Sequence, residues 1–392
     1  MSSHVPHLDR KREGMESQSP PNDARDRLAW LTLKLIPELG NRSLLRLIKH
    51  FGTPQAVLKA GPEELSGVAG IREQTRLSIL GKRTVRSPEG EWERLRGKGI
   101  KLLCLNDADY PANLAEIPDP PAVLFLRGNV EPRDLVAVAV VGSRAASPIG
   151  LAFTEKLCSE LAARGVAIVS GFAVGIDSAA HRGALKAKGR TLAVLGCGLD
   201  VEYPTGNAKL KKAIAESGAL LSEFPLGTPP APGHFPMRNR IISGLALGVV
   251  IVEAAHRSGS LITARLALEQ GREVFAVPGM PRHHRSVGPH KLLKQGAKLV
   301  ETAEDILEEI RPLVRPSIDF RARGQSVPPR MDLTPQETEV SALLDQNPQH
   351  IDDLCRSLRW PASRLMAVLL SLELKGMARQ LPGKHFVAVN GI

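Results

Sequence analysis

Aromatic side chains are scarce in this chain. Three tryptophans, two tyrosines and nine phenylalanines make up 4% of 392 residues. A surface built on extensive base stacking, where each stacked base contributes about 1–3 kcal/mol, is not expected from so few rings. Cysteine is equally sparse. Cys104, Cys158, Cys197 and Cys355 stand far apart with no C-x-x-C pair, which argues against a disulfide framework and a paired-cysteine zinc site and points to a reducing cytoplasm. Long apolar runs are missing too. The longest candidate, "LALGVVIV" from Leu245 to Val252, stops at Glu253, well short of the roughly 18 residues that span a bilayer, and reads as a buried strand. No membrane association is expected. The first 25 residues carry charges, serines and prolines without an apolar centre, so they read as a disordered leader rather than a secretory signal.

Two phosphate-binding signatures are also absent. No G-x-x-x-x-G-K-[ST] loop occurs, and the first strong strand is not followed by G-x-G-x-x-G. Nucleotide hydrolysis and a dinucleotide cofactor are therefore disfavoured, and no cofactor is expected. Acidic residues are outnumbered, 41 against 52 Lys and Arg, for a formal charge of +11 and a pI near 9.7. That excess suits a polyanionic partner, nucleic acid or an anionic surface, although a basic enzyme of no special partner carries the same number.

Hydrophobic periodicity divides the chain into blocks. Residues 26–85 have helical spacing interrupted by turns at Pro37–Gly40 and Gly67–Gly70, in the manner of a helix-hairpin-helix or sterile-alpha-motif-like domain. Such a hairpin either lets backbone amides approach a DNA phosphate or serves only packing and protein contacts. Residues 100–310 alternate strands and helices. Strands are expected at Leu135–Val141, Val166–Ser170, Thr191–Leu195, Ala219–Ser222, Gly248–Glu253 and Glu273–Val277, with helices at Ile149–Arg164, Asp177–Lys188 and Ser260–Gln270. This is the pattern of an α/β core, an extended Rossmann-like parallel sheet covered on both faces, with ligands at the strand C-terminal ends. Residues 311–331 form a linker with four prolines and five arginines up to Arg330, expected to be extended. Residues 332–392 resemble a C-terminal winged helix. There "TPQETEVSALL" supplies an N-cap, Thr334, and a capping-box Glu337. The second helix offers only Arg364 near its start, so duplex contact and protein contact both remain open for it.

Chemistry concentrates at the strand ends of the core. In "VAVVGSRAASPIG", Gly142 permits a tight turn, Ser143 and the following amides face the open end of the sheet, and Arg144 adds a permanent forked cation suited to a phosphodiester. The second strand ends in "SGFAVGID", with Ser170 and Gly171. "FPMRNRIISG" carries Arg238, Asn239 and Arg240. "AAHRSGSLITA" places Ser258, Gly259 and Ser260 at a helix start, where free amides and the helix dipole bind an anion. "GCGLDVEYPTGNAKLKK" contributes Tyr203 and Lys209. One phosphate needs one such site; several cations along one groove suit a run of phosphates. A flanking segment, Pro281–Lys298, adds Arg282, Arg285, Lys291, Lys294 and Lys298 with no acid. His283, His284 and His290 lie there too, but without nearby cysteines or carboxylates no metal site is expected. Asp177 and His181 share a helix face four residues apart. As no nucleophile is signalled beside them, they read as a brace and the chain is not expected to be an enzyme.

Taken together, the ordered motifs "VVGSRAASPIG", "VSGFAVGIDSAAHRGAL", "LGCGLDVEYPTGNAKL", "LSEFPLGTPP", "FPMRNRIISGLA" and "VVIVEAAHRSGSLITARLALEQGREVFAVPG" resemble the DNA-processing protein A (DprA or Smf) family. The resemblance implies a homodimeric core that binds single-stranded DNA, protects incoming DNA during natural transformation and loads the RecA recombinase. It also implies that Arg144 and Lys209 are the main phosphate cations, with Gly142, Ser143, Ser170, Gly171, Arg238, Asn239, Arg240, Ser258, Gly259 and Ser260 shaping the groove. Pro289 and His290 stand where the family pattern has a small polar residue and asparagine, which puts polar capping of the last core helix in question. A nucleotide-processing Rossmann enzyme and a winged-helix transcriptional regulator are the alternatives from other classes.

Overall fold

Runs of small and β-branched apolar residues bounded by glycine become the strands of a sheet that is buried on both faces. The computed structural model describes residues 24–313, 334–345, 349–374, 378–381 and 383–388. The leader expected over residues 1–25 falls almost wholly outside these, as does the linker beyond residue 313. The chain forms two compact units, Met1–Arg323 and Gly324–Ile392.

In the first unit nine strands make one sheet: β1 (Lys101–Cys104), β2 (Val123–Gly128), β3 (Ala137–Val141), β4 (Ala167–Ser170), β5 (Thr191–Leu195), β6 (Ala219–Ser222), β7 (Gly248–Ile251), β8 (Glu273–Ala276) and β9 (Lys298–Leu299). Their order is β1-β2-β6-β5-β4-β3-β7-β8-β9. From β6 to β9 all neighbours are parallel, whereas β1 and β2 continue the sheet antiparallel. All six strands read from the sequence are present, each within two residues of its expected ends. The chain runs outward from β3 through β4, β5 and β6, then returns to the other side of β3 for β7 to β9. That reversal opens a crevice beyond the C-terminal ends of β3 and β7, the usual ligand position in such sheets.

Alternation along β3 shows how both faces are filled. Val138 and Val140 belong to a cluster with Leu157, Leu161 and Ile306; Ala137, Ala139 and Val141 point to the opposite cluster with Ile241, Ile242 and Ala264. A helix at His234–Leu245, not legible as a separate element in the sequence, supplies much of that second face.

The N-terminal helices, Ala24–Lys34, Asn41–Phe51, Pro54–Lys59, Pro62–Ser66 and Glu73–Leu80, have no core of their own. Trp30, Leu31, Leu33, Leu44 and Leu47 join a single cluster with Leu102, Phe125, Ala193, Leu195 and Leu220 of β1, β2, β5 and β6. Polar ties seal the same junction. The Asn41 amide donates to Asp119 Oδ1 at 2.7 Å and to the Pro120 carbonyl at 2.8 Å, and its oxygen accepts from the Ala122 amide at 2.8 Å.

The second unit has the expected winged-helix order. The Thr334 hydroxyl accepts from the Glu337 amide and the Glu337 carboxylate accepts from the Thr334 amide, a complete capping box at the helix Pro335–Ser341. Helices Ile351–Leu358 and Ala362–Leu374 follow, then an antiparallel sheet in which strand His385–Ala388 lies between Gln349–His350 and Ala378–Leu381. Arg364, the one cation near the start of the second helix, lies over the Trp360 ring at 4.1 Å. Met366 and Leu370 are exposed beside it.

Candidate nucleic-acid interface

The turn after β3 builds the first wall of the crevice. A Cβ at Gly142 would stand 2.7 Å from Ile176 and 3.1 Å from the Glu253 carbonyl, so only glycine lets β3 exit this close to β7. Gly175, with φ of +84°, makes the matching approach from the next loop, and the Ile176 amide donates to the Ser143 carbonyl at 3.2 Å. Behind the turn, the Glu253 carboxylate accepts from the Ser147 amide at 2.9 Å and from the Ser147 hydroxyl. That acid is thereby committed to holding the helix start.

Eight of the twelve residues expected at the site line one cleft of about 350 Å3: Gly142, Ser143, Arg144, Arg238, Asn239, Ser258, Gly259 and Ser260. Ser258 caps the helix Gly259–Glu269 by accepting from the Ser260 amide. Gly259 is open, with no atom within 4 Å of where a Cβ would be. The first-turn amides of this helix and its positive dipole end are thus presented to the cleft. Of the lining residues not expected from the sequence, Arg257 and Phe235 bear most on the chemistry. Arg257, exposed and directly before the cap, has a signal in hindsight, because a cation beside a helix N-terminus adds to the same field. Phe235 has none, since the helix carrying it was not recognised. Its ring lies under Arg144, 4.9 Å from the guanidinium carbon, and 5.7 Å from the Tyr203 ring.

The other four residues lie elsewhere. Ser170 is fully buried and its hydroxyl donates to the Val140 carbonyl at 2.6 Å, which braces β3 against β4 rather than shaping a groove. Gly171 acts beneath the cleft: a Cβ there would fall 2.6 Å from both Arg238 and Asp177. Lys209 is exposed at the start of the helix Ala208–Ser217, outside the cleft lining, and the segment leading to it begins at Tyr203. Arg240 needs correction. Its guanidinium pairs with both Glu223 oxygens, at 2.9 and 2.8 Å, and its Nε donates to the Asp119 carbonyl at 3.0 Å. Two residues apart on a helix, side chains diverge by about 200°, so Arg238 and Arg240 cannot both face one groove. Of the flanking cations, Lys298 is bound to Glu309 at 2.8 Å and Arg285 lies 4.0 Å from Glu253.

Arg238 forms the floor. It is 4% exposed; one Nη donates to the carbonyls of Gly171 and Val194, and its Nε has no acceptor among the described residues. Burial lowers its pKa to about 10, with Asp177 opposing that and the Arg144 charge adding to it. An anion in the cleft would relieve this crowding of like charge. Asp177 is itself pushed up by burial, against the pull of Arg238 and the Ala173 and Gly142 amides.

His181 is a structural brace. The Thr191 hydroxyl donates to the Ile168 carbonyl at 2.8 Å, so the 2.7 Å contact with His181 Nδ1 has the imidazole N–H as donor. Burial pushes this histidine down to about 3, helped by the Arg238 and Arg182 charges. Between that value and 6.5 the unfolded chain binds a proton that the folded chain refuses, so stability falls as pH drops below 6.5. The folding equilibrium changes by up to about tenfold per pH unit for one such proton. His181→Asn should flatten this limb between pH 6.5 and 5, measured by urea midpoints against the parent chain. An unchanged limb would remove His181 as its source.

At the start of the last core helix, Val287–Lys294, Ser286 is the cap residue without a side-chain cap bond. Pro289 falls in the first turn, where its missing N–H would have no intrahelical acceptor. His290 Nε2 contacts the Gly279 carbonyl at 3.0 Å.

Sheet order, reversal point and cleft define an extended Rossmann-like α/β protein with a cation-lined crevice at the strand ends. The chain belongs to the DprA/Smf family of DNA-processing proteins. Residues 101–311 match the model described as DNA recombination-mediator protein A, and residues 324–384 match the DprA winged helix domain. It is 39% identical to Protein Smf of Escherichia coli over 91% of this chain and 94% of that protein. It is 40% identical to DNA processing protein DprA of Streptococcus pneumoniae over 69% and 94% respectively. The X-ray structure of that streptococcal protein superposes with a TM-score of 0.65 at 38% identity, covering 72% of this chain and 97% of that one. No helix among the described residues is long and apolar enough to cross a membrane.

Proposed function

We propose that the protein binds single-stranded DNA through its sugar–phosphate backbone in the β3/β7 cleft, with little dependence on base sequence. The observation that carries this is the convergence of Arg144, Arg257 and the Ser258–Ser260 helix start on one open cleft. Gly142, Ser143, Gly171, Arg238 and Asn239 shape its walls and floor, and Phe235 carries the wall from Arg144 to Tyr203, with Lys209 further along the same segment of chain. A phosphate seated by Arg144 receives a forked, charge-assisted contact and the field of a helix N-terminus. The next phosphates run past the aromatic pair, on which an unpaired base can stack and a paired one cannot. Phosphate contacts carry affinity without base identity.

On this reading the protein acts in the cytoplasm as a homodimer that shields incoming single strands during natural transformation and hands them to the RecA recombinase, as its membership of the family suggests. It works without cofactor and without turnover of the strand. Winged-helix regulation is the weaker reading, since Arg364 is engaged with Trp360 and the neighbouring exposed side chains are apolar.

The test is a salt-titrated comparison of single-stranded and duplex DNA of several sequences, using the full chain, beside assays for turnover of nucleoside phosphates. Tighter binding to single strands, similar for all sequences and steeply weakened by salt, is expected. Preference for one duplex sequence, or turnover of a nucleoside phosphate, would overturn the reading.

A further inference from the structure

The two hairpins of the N-terminal helical block both end in glycine and have different surroundings. The first, Pro37–Gly40, is used up as a joint: Asn41, directly after it, holds Asp119, Pro120 and Ala122, and Arg42 reaches Asp119 at 3.6 Å. The second, Gly67–Gly70, touches none of these. It faces an open cleft of about 650 Å3 whose other wall is Arg46, Lys49 and His50. At positions i, i+3 and i+4 these three share one face of the helix Asn41–Phe51, and all three are exposed.

We propose that this cleft is a second phosphodiester site, separate from the β3/β7 crevice, that grips the backbone of a DNA strand. The inference rests on the reading of this chain as a DNA-binding protein. Three observations support it. Arg46 and Lys49 have no carboxylate partner among the described residues, whereas surface cations on other helices do: Lys156 with Glu160, Lys212 with Glu216, Arg265 with Glu269. Of the acids that flank the hairpin in sequence, Glu64 accepts from the Gly61 amide at 2.7 Å, and neither it nor Glu73 lines the cleft. Finally, Gly70 has φ of +78°, and a Cβ there would collide with the Arg46 guanidinium. Bare backbone is thus kept directly against the cation, and the amides of Ala69, Gly70 and Ile71 donate to no described backbone oxygen. Neighbouring free amides beside unpaired cations are the chemistry that holds a phosphate oxygen. A hairpin serving only packing needs neither.

Two variants of the full chain test it. Arg46→Gln with Lys49→Gln removes the cations. Ala69→Glu places an acid at the exposed tip without touching the buried Val68. Binding to a 50-mer of thymidylate is titrated with salt, beside Arg144→Ala and with a duplex of equal length as a second arm. Each lost contact should lower the magnitude of the log–log slope by about 0.7 on the single strand and about 0.9 on the duplex. The double variant should therefore lose about 1.4 or 1.8 in slope, two contacts' worth. Ala69→Glu should weaken affinity as well, with thermal midpoints unchanged for both. Loss on the duplex alone assigns the hairpin to paired regions; loss on the thymidylate alone assigns it to single strands. If both variants keep the parent slope and affinity on both probes while Arg144→Ala loses binding, the second site is refuted and the crevice reading survives. If Arg144→Ala is silent and the hairpin variants are not, the crevice reading fails and this one stands.

Discussion

Arg144→Ala is expected to weaken single-strand binding about 10- to 100-fold, the range for removing one charge-assisted hydrogen bond of about 1.5–3 kcal/mol. The log–log salt slope should fall by about 0.7, one phosphate contact on a single strand. Folding should not suffer. Arg144 lies over Phe235 at the cleft, and its charge opposes that of buried Arg238, so its removal relieves repulsion. A thermal midpoint that holds or rises while binding falls would separate a ligand-binding arginine from a structural one. Arg144→Lys should recover part of the affinity but not all, because an ammonium keeps the charge and loses the fork. Full binding by the alanine variant, at every salt concentration, would place the strand elsewhere.

Glu223→Ala is expected to have the largest effect on stability, up to about 3–5 kcal/mol, since it removes the bidentate partner of a buried arginine. Arg240 is 9% exposed and Glu223 3%, their contact is bidentate, and the Lys34 ammonium lies 3.9 Å from the same carboxylate. Burial lowers the Lys34 pKa while Glu223 raises it, so losing the carboxylate leaves two buried cations to the single remaining acid, Asp119, 3.3 Å from the Arg240 Nε. Denaturant midpoints measure the loss. The paired replacement Glu223→Leu with Arg240→Met should recover part of it, because exchanging a buried pair for apolar side chains is often neutral, while Lys34 still lacks its carboxylate. Strand affinity of the folded fraction should remain at the parent value in both variants. A drop in affinity with Arg240→Met alone, in folded protein, would return Arg240 to the binding surface.

The parallel part of the sheet was legible because its strands are short, continuous and apolar between glycines, and the helices between them have the right period. The antiparallel extension was not. "KLLC" and "VLFLRG" look like any two apolar runs, and only the far edge of the sheet makes them strands. The eight cleft residues were legible from glycine, serine and arginine at strand ends. Arg240 was misplaced because spacing was read along the sequence and not around a helix. Arg238 and Arg240 stand two apart in the sequence, yet one is the floor of the cleft and the other a joint to the N-terminal helices. Phe235 was missed for the same reason, and with it the aromatic pair that a count of rings alone had made improbable. Nor did the helical block announce that its apolar face belongs to the sheet: its leucine spacing fits an independent bundle equally well.

That shared interior bears on how such a chain can be divided and recombined. A helical appendage with its own core can be lost, gained or exchanged between relatives as a cassette. This one cannot be lifted off at residue 100, because Phe125, Leu220 and Leu195 are covered by Trp30 and its leucine neighbours. A fragment starting there would carry a bare apolar wall and would seek another molecule to cover it. Any graft between family members therefore has to match the first helices to the residues of β1, β2, β5 and β6 that they cover, whereas the buried residues of the winged-helix unit form a cluster of their own.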